Sequence, residues 1–208
     1  SSLVSKVIKH HQIQGVAFTG STVAGKIVAK IAGKNLKKTV LELGGNDPYL
    51  ILDDAKIGYA VKACIEGRLL NNGQSCISAK RLIVTKNKIK SFTKKLINEL
   101  GLKVMGDPYD DVDYGPLVSL SARAEVHKMV KCSIKMGAKL NLGGKIPNFD
   151  GAYYPITVLS KVQPGMPAFD EEIFGPIFSI IEADDDEHAI ELANNSNYGL
   201  GAAVFTSD

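Results

Sequence analysis

Apolar and polar positions change period along the chain, and the changes mark its elements. Val16 to Gly20 (VAFTG) is a short apolar run closed by a glycine, the pattern of a buried strand entering a turn. From there apolar residues fall at Val23, Ala24, Ile27, Val28, Ile31 and Ala32, which is helical spacing, with Ser21 or Thr22 as N-cap and Gly33 as the stop. KKTVLELGG, ending at Gly45, reads as a second strand, so residues 16–45 predict one βαβ unit. A parallel sheet needs several strands with both faces covered, which implies further strands ahead of Ser1.

Beyond Gly45 the pattern runs strand, helix, strand. Asp53 or Asp54 is expected to cap a helix whose stripe is Ile57, Ala60, Val61, Cys64, Ile65 and Leu69. KRLIVTK predicts a strand, SFTKKLINELG the body of an amphipathic helix, and Met105 to Ser119 a long turn-rich loop. A helix over about Ser121 to Lys135 follows, then short strands at ITVLS, FSIIEA and GAAVFTS, with a helix near Asp186 to Asn194 capped from the Asp184–Asp186 run. Such alternation predicts an α/β architecture. There is no internal repeat and no low-complexity linker.

Bulk composition narrows the function classes. A chain of 208 residues with 45% apolar and 23% charged content can bury a substantial core. The net charge is only +3, and clusters such as Lys86–Lys90 recur on helix faces beside acidic residues, which argues for solvated faces and against a nucleic-acid partner. No apolar run approaches the roughly 18 residues of a membrane span, and the opening SSLVSKVIKHHQ lacks a signal-peptide core, so no membrane partner is expected. Cys64, Cys76 and Cys132 have neither metal-ligand spacing nor an even count, which fits a reducing, cytoplasmic setting. His10, His11, His127 and His188 lack matching carboxylates or thiols, and no metal site is predicted.

Cys64 belongs to an apolar stripe and Cys132 lies off one, but Cys76 sits in the polar run NNGQSCISAKR, between a helical and a strand pattern. A thiolate adds readily to an electrophilic carbonyl, and the resulting thioester is released by water only when a base takes its proton. Glu42, at the carboxyl end of a strand in VLELGG, is a candidate base, because ligands of open parallel sheets bind beyond those ends; a solvated sheet-edge charge is the other reading. Gly44 and Gly45 let a ligand approach the backbone there. FTGST places a glycine and a hydroxyl at a helix start, which suits either a phosphate or a plain cap.

Taken in order, FTGST, ELGGN, NNGQSC, PAFDEEIFGP and NYGLGAAVFT resemble the aldehyde dehydrogenase superfamily over nearly the whole chain, as does the loop GDPYDDVDYGPLVS. The resemblance implies a three-layer α/β/α catalytic domain over 46–208 and, over 1–45, a βαβ remnant of a Rossmann-type coenzyme domain. It implies Cys76 as nucleophile and Glu42 as general base. Gly20, Ser21, Leu43, Gly44, Glu172 and Phe174 are then expected on NAD or NADP, with Ser21 near the pyrophosphate, Glu172 on the nicotinamide ribose and Phe174 against the nicotinamide region. The expected reaction is oxidation of a small aldehyde to the acid through a thiohemiacetal and a thioester, with the Cys76 N–H a plausible oxyanion donor.

ELGGNDPYLILDDA and NNGQSCISAKR look most like the bacterial succinate-semialdehyde dehydrogenase branch. Two positions depart from some of its members: Leu70 stands where they carry an arginine, and Ser78 where they carry a cysteine. Arg68 and Arg81 are substitute candidates for binding a substrate carboxylate. A general aliphatic aldehyde, or a non-catalytic subunit or interaction protein, are the alternatives. Segments expected at both ends of the family, including those for homo-oligomer assembly, are missing, so the chain reads as a fragment of weak or no activity by itself.

Overall fold

In the computed structural model, which describes residues 2–208, the elements form two compact units, up to Gly44 and from Gly45. In the first, α1 (Ser2–Lys9), β1 (Gly15–Thr19), α2 (Thr22–Lys34) and β2 (Lys38–Glu42) follow one another, and β1 pairs with β2 in parallel. Ser21 caps α2, its hydroxyl accepting the Ala24 N–H at 3.3 Å. The helix runs through Gly33 and stops at Asn35, so the expected glycine stop is displaced by two residues. Ile8, Val28 and Ala32 form the small core of this unit. Helix α1 was not anticipated, although Leu3, Val4, Val7 and Ile8 have helical spacing.

The second unit is built on six strands. They are β3 (Pro48–Ile51), β4 (Arg81–Thr85), β5 (Lys139–Leu142), β6 (Thr157–Ser160), β7 (Ile177–Ala183) and β8 (Ala203–Phe205), in the order β5-β6-β7-β4-β3-β8. All neighbours are parallel except β5 against β6. Every residue of β4 is buried, as a central strand covered on both faces requires.

Side chains alternate between those faces with the strand period of two. Leu82 and Val84 pack with Phe178 and Ile180 against Val61, Cys64 and Ile65 of α3 (Ile57–Leu69) and Phe92 and Leu96 of α4 (Ile89–Leu100). Ile83 packs with Ile177 and Ile181 against Val126 and Val130 of α5 (Leu120–Lys135), Phe169 of α6 (Pro167–Asp170) and Leu192 of α7 (Asp186–Asn194). The unit is therefore the three-layer α/β/α sandwich expected. Each fully buried Leu, Ile or Val contributes roughly 1.5–3 kcal/mol.

One expected cap is replaced. Helix α3 starts at Ile57, after Lys56. Asp53 instead accepts the Asn87 amide at 2.8 Å, and Asp54 accepts the Thr206 hydroxyl at 2.9 Å and the Ser207 N–H at 2.7 Å. Both carboxylates thus serve contacts distant in sequence. Asp185 does cap α7, accepting the His188 N–H at 2.8 Å. Among the described residues no helix is long and apolar enough to cross a membrane.

Candidate active site

In the first unit the ends of β1 and β2 bring several singled-out residues together. The register pairs Thr19 with Glu42, and the Gly20 N–H donates to the Glu42 carbonyl at 3.0 Å. Glu42 is exposed. Leu43 lies over α2, where a Cβ on Gly25 would come within 2.4 Å of its Cδ2, so that glycine makes room for it. The Ser21 hydroxyl and carbonyl take the Ala24 and Gly25 N–H groups, while those of Thr22 and Val23 meet no acceptor among the described residues. Free N–H groups at the start of a 13-residue helix suit a phosphate.

In the second unit Cys76 lies on a loop whose shape is tightly imposed. After α3 the chain makes a 3-10 turn, Leu70–Gly73, in which Asn71, Asn72 and Gly73 all have positive φ (51°, 58° and 75°). Asparagine tolerates this region better than most residues. Gly73 is required for a second reason: a Cβ there would lie 2.2 Å from the Gly175 carbonyl oxygen. The cysteine loop is thus seated on the backbone of the FGP segment. Asn72 donates to the Pro116 carbonyl at 3.1 Å and accepts the Gly115 N–H at 3.1 Å, and Gln74 accepts the Val118 N–H at 2.8 Å. Cys76 itself remains partly exposed.

Beneath the loop lie two buried cations. Arg68 donates to the carbonyls of Ile177 (2.6 Å) and Ile173 (2.7 Å) and to the Ser78 hydroxyl (2.6 Å). Lys80, only 3% exposed, donates to the carbonyls of Ser75 (3.0 Å), Cys76 (2.8 Å) and Ser78 (3.4 Å). Its ammonium also lies 3.7 Å from Glu172, whose carboxylate accepts the Gly45 N–H at 3.0 Å. Gly45 must be a glycine, since a Cβ would sit 2.5 Å from the Cys76 carbonyl oxygen. Burial, with Arg68 adding to it, pushes the Lys80 ammonium down to about 8 against the pull of Glu172 and Asp47. Burial likewise raises the Asp47 carboxyl, although the Gly201 N–H donates to it at 3.1 Å.

Cys76 and Glu172 are therefore tied to one polar cluster through Lys80 and Gly45. Phe174, at the other end of the same segment, keeps 41% of its surface open. The two arginines proposed for a substrate carboxylate behave otherwise. Arg81 donates to the carbonyls of Asn46 (3.0 Å), Leu192 (2.8 Å) and Ala193 (2.8 Å) and is 1% exposed. Arg68 is equally enclosed, so both hold the backbone together and neither offers a free face to a ligand. A cleft of about 520 Å³ lined by Asn46, Asp47, Tyr198 and Leu200, among others, does not include Cys76.

Sequence reasoning missed Asn72, Gln74 and Gly73 as supports of the loop, and Lys80 altogether. The Asn-Asn-Gly-Gln run next to a lone thiol was the available signal for the first three. Nothing local separates Lys80 from a surface lysine.

A profile of the aldehyde dehydrogenase family matches residues 1–208. Over 206 residues the chain is 46% identical to an NAD(P)+ succinate semialdehyde dehydrogenase of Escherichia coli, covering 99% of this chain and 45% of that protein. It is 45% identical to an NADP+ succinate-semialdehyde dehydrogenase of Deinococcus radiodurans, covering 99% and 43%. Among solved structures it is similar to the succinic semialdehyde dehydrogenase of Streptococcus pyogenes in complex with NADP+ (TM-score 0.96, 40% identity, 100% of this chain and 46% of that one). It also resembles lactaldehyde dehydrogenase from Escherichia coli (TM-score 0.96, 35% identity, 99% and 44%). The chain spans less than half the length of these relatives.

Proposed function

The chain belongs to the aldehyde dehydrogenase family, and from that premise we propose that it carries the thiol-bearing part of an enzyme oxidising succinate semialdehyde, or a similar small aldehyde, to the acid with NAD or NADP. The observation that supports this most is the setting of Cys76. Its loop is held on both sides by backbone contacts and side-chain amides, yet the residue remains partly exposed. Cys64, by contrast, is fully buried and its thiol is pushed up by desolvation, while Cys132 is exposed on α5.

In this reading the Cys76 sulfur attacks the aldehyde carbon to give a thiohemiacetal. A nicotinamide cofactor, when bound, supplies the hydride acceptor. Gly20, Ser21, Leu43 and Gly44 are assigned to holding it from the first unit, with Thr22 and Val23 offering N–H groups to phosphate. Glu172 and Phe174 are assigned to it from the second. Glu42 is assigned as the base that removes a proton from water for thioester hydrolysis, which frees the acid and the thiol.

Substrate choice rests on the relatives' names. The enclosure of Arg68 and Arg81 removes the two expected partners for a substrate carboxylate and keeps a general aliphatic aldehyde as the second reading. Mixing the protein with succinate semialdehyde or a straight-chain aldehyde and either cofactor, and following the reduced cofactor's absorbance, separates the two. Cys76 should also be alkylated at neutral pH ahead of the more exposed Cys132. Absence of turnover together with equal labelling of those two thiols would refute the catalytic reading and leave the non-catalytic one.

A further inference from the structure

The carbonyl of Ser75 and the N–H of Cys76 belong to one peptide unit, whose resonance links its two ends. The carbonyl end is heavily occupied. It accepts the Lys80 ammonium at 3.0 Å, the Ser78 hydroxyl at 3.0 Å and the Ser78 N–H at 3.3 Å. The Ser78 oxygen in turn receives the Arg68 guanidinium at 2.6 Å. One cation therefore acts on the Ser75 oxygen directly and a second through a hydroxyl. Water does not dilute either effect, since Arg68, Ser78 and Lys80 are 1%, 0% and 3% exposed. At the other end, the Cys76 N–H meets no acceptor among the described residues.

We propose that Lys80 and Ser78 are positioning residues for the first chemical step: they polarise and orient the Ser75–Cys76 peptide so that its N–H stabilises the oxyanion formed when Cys76 attacks a carbonyl. This rests on Cys76 being the nucleophile. Withdrawing electron density at the carbonyl oxygen makes the amide proton a stronger donor, and hydrogen bonds in such chains strengthen one another by roughly 10–30% each. The same ammonium grips the Cys76 carbonyl at 2.8 Å, fixing the planes on both sides of the reactive residue. Ser78 is then the relay that brings the Arg68 charge to the site.

Lys80 is faced by Arg68 from α3, by Asp47 ahead of β3, by Glu172 and by Cys76. The first opposes its charge and the other three favour it. With the ammonium pushed down to about 8, the polarisation fades as pH rises through that value.

Two reactions of the same sulfur isolate the effect. With p-nitrophenyl acetate, the thiolate pair forms the C–S bond and the carbonyl π pair moves onto oxygen. That pair then returns as p-nitrophenolate leaves, giving the thioester. With iodoacetamide, the C–S bond forms as iodide departs and no oxyanion arises. The ratio of acylation to alkylation rates at Cys76, with Cys76→Ser as the blank, cancels access and thiolate fraction. Lys80→Met should lower that ratio about 10-fold and Ser78→Ala about 3-fold, short of the 10²–10³ seen when a donor is removed outright. In the unaltered protein the ratio should fall between about pH 7 and about pH 9.5, an arm that needs no variant to fold. A flat ratio across pH, with both reactions unchanged or reduced in parallel in Lys80→Met, would overturn the proposal and leave Cys76 the nucleophile. A protein whose Cys76 undergoes neither reaction would overturn both.

Discussion

Replacing Gly73 by alanine tests whether the cysteine loop is held by backbone fit. The added Cβ would lie 2.2 Å from the Gly175 oxygen, 2.5 Å from its carbonyl carbon and 3.1 Å from the Pro176 nitrogen. These are backbone atoms, so no rotamer change relieves the overlap. The φ of +75° adds about 1–2 kcal/mol for a residue with a Cβ. Overlap with packed neighbours adds about 1–3 kcal/mol, giving a loss of roughly 2–5 kcal/mol against a typical stability of about 5–15. With a urea m-value of about 2 kcal/mol/M, the midpoint should fall by about 1–2.5 M. All 7 tyrosines lie beyond Gly44 and the chain has no tryptophan, so tyrosine fluorescence reports the second unit alone. Gly58→Ala in α3 is the matched control. Its Cβ would meet only Lys95 Cε at 3.7 Å, and in the first turn of α3 it should leave stability within about 0.5 kcal/mol of the parent. A Gly73→Ala midpoint within experimental error of the parent, with unchanged Cys76 labelling, would refute the packing argument.

Two further outcomes are expected. Asn72→Ala removes the contacts to Gly115 and Pro116 and leaves a φ of +58° on a less tolerant residue. It should cost about 1–3 kcal/mol by the same urea assay, with Asn72→Gly recovering only the conformational part. Cys64 is fully buried, and desolvation holds its folded-state ionisation far above the unfolded value of about 8.5. The neutral thiol's contribution is complete below that pH and is lost as pH rises above it, because only the unfolded chain releases the proton. Between about pH 8 and about pH 10 the parent should lose stability faster than Cys64→Ala, by up to about 1.4 kcal/mol per pH unit, in urea titrations at each pH. Parallel slopes would contradict this.

Legibility in the sequence depended on the range of the interaction. The Ser21 and Asp185 caps act three residues away, and both were readable. The expected caps at Asp53 and Asp54 failed because Thr206 and Ser207, more than 150 positions distant, hydrogen-bond Asp54, and Asn87 engages Asp53. Strand β5 passed unnoticed because KLNL is short and edge-paired, with no continuous apolar run. The full burial of β4 and the stripe carrying Cys64 were written in local periodicity.

By its own pattern, then, the chain determined the alternation of strands and helices, the apolar faces that pack into three layers, and the one cysteine left among polar neighbours. Those follow from side-chain period and chemistry, which are properties of adjacent residues. Folding alone decided that Arg68 and Arg81 bind carbonyls, that Lys80 is an interior cation under the thiol loop, and that Gly73 and Gly45 are sites of backbone contact. A charge written in a sequence gains its role from what desolvates it and which acceptors face it, and both arrive from elements far along the chain.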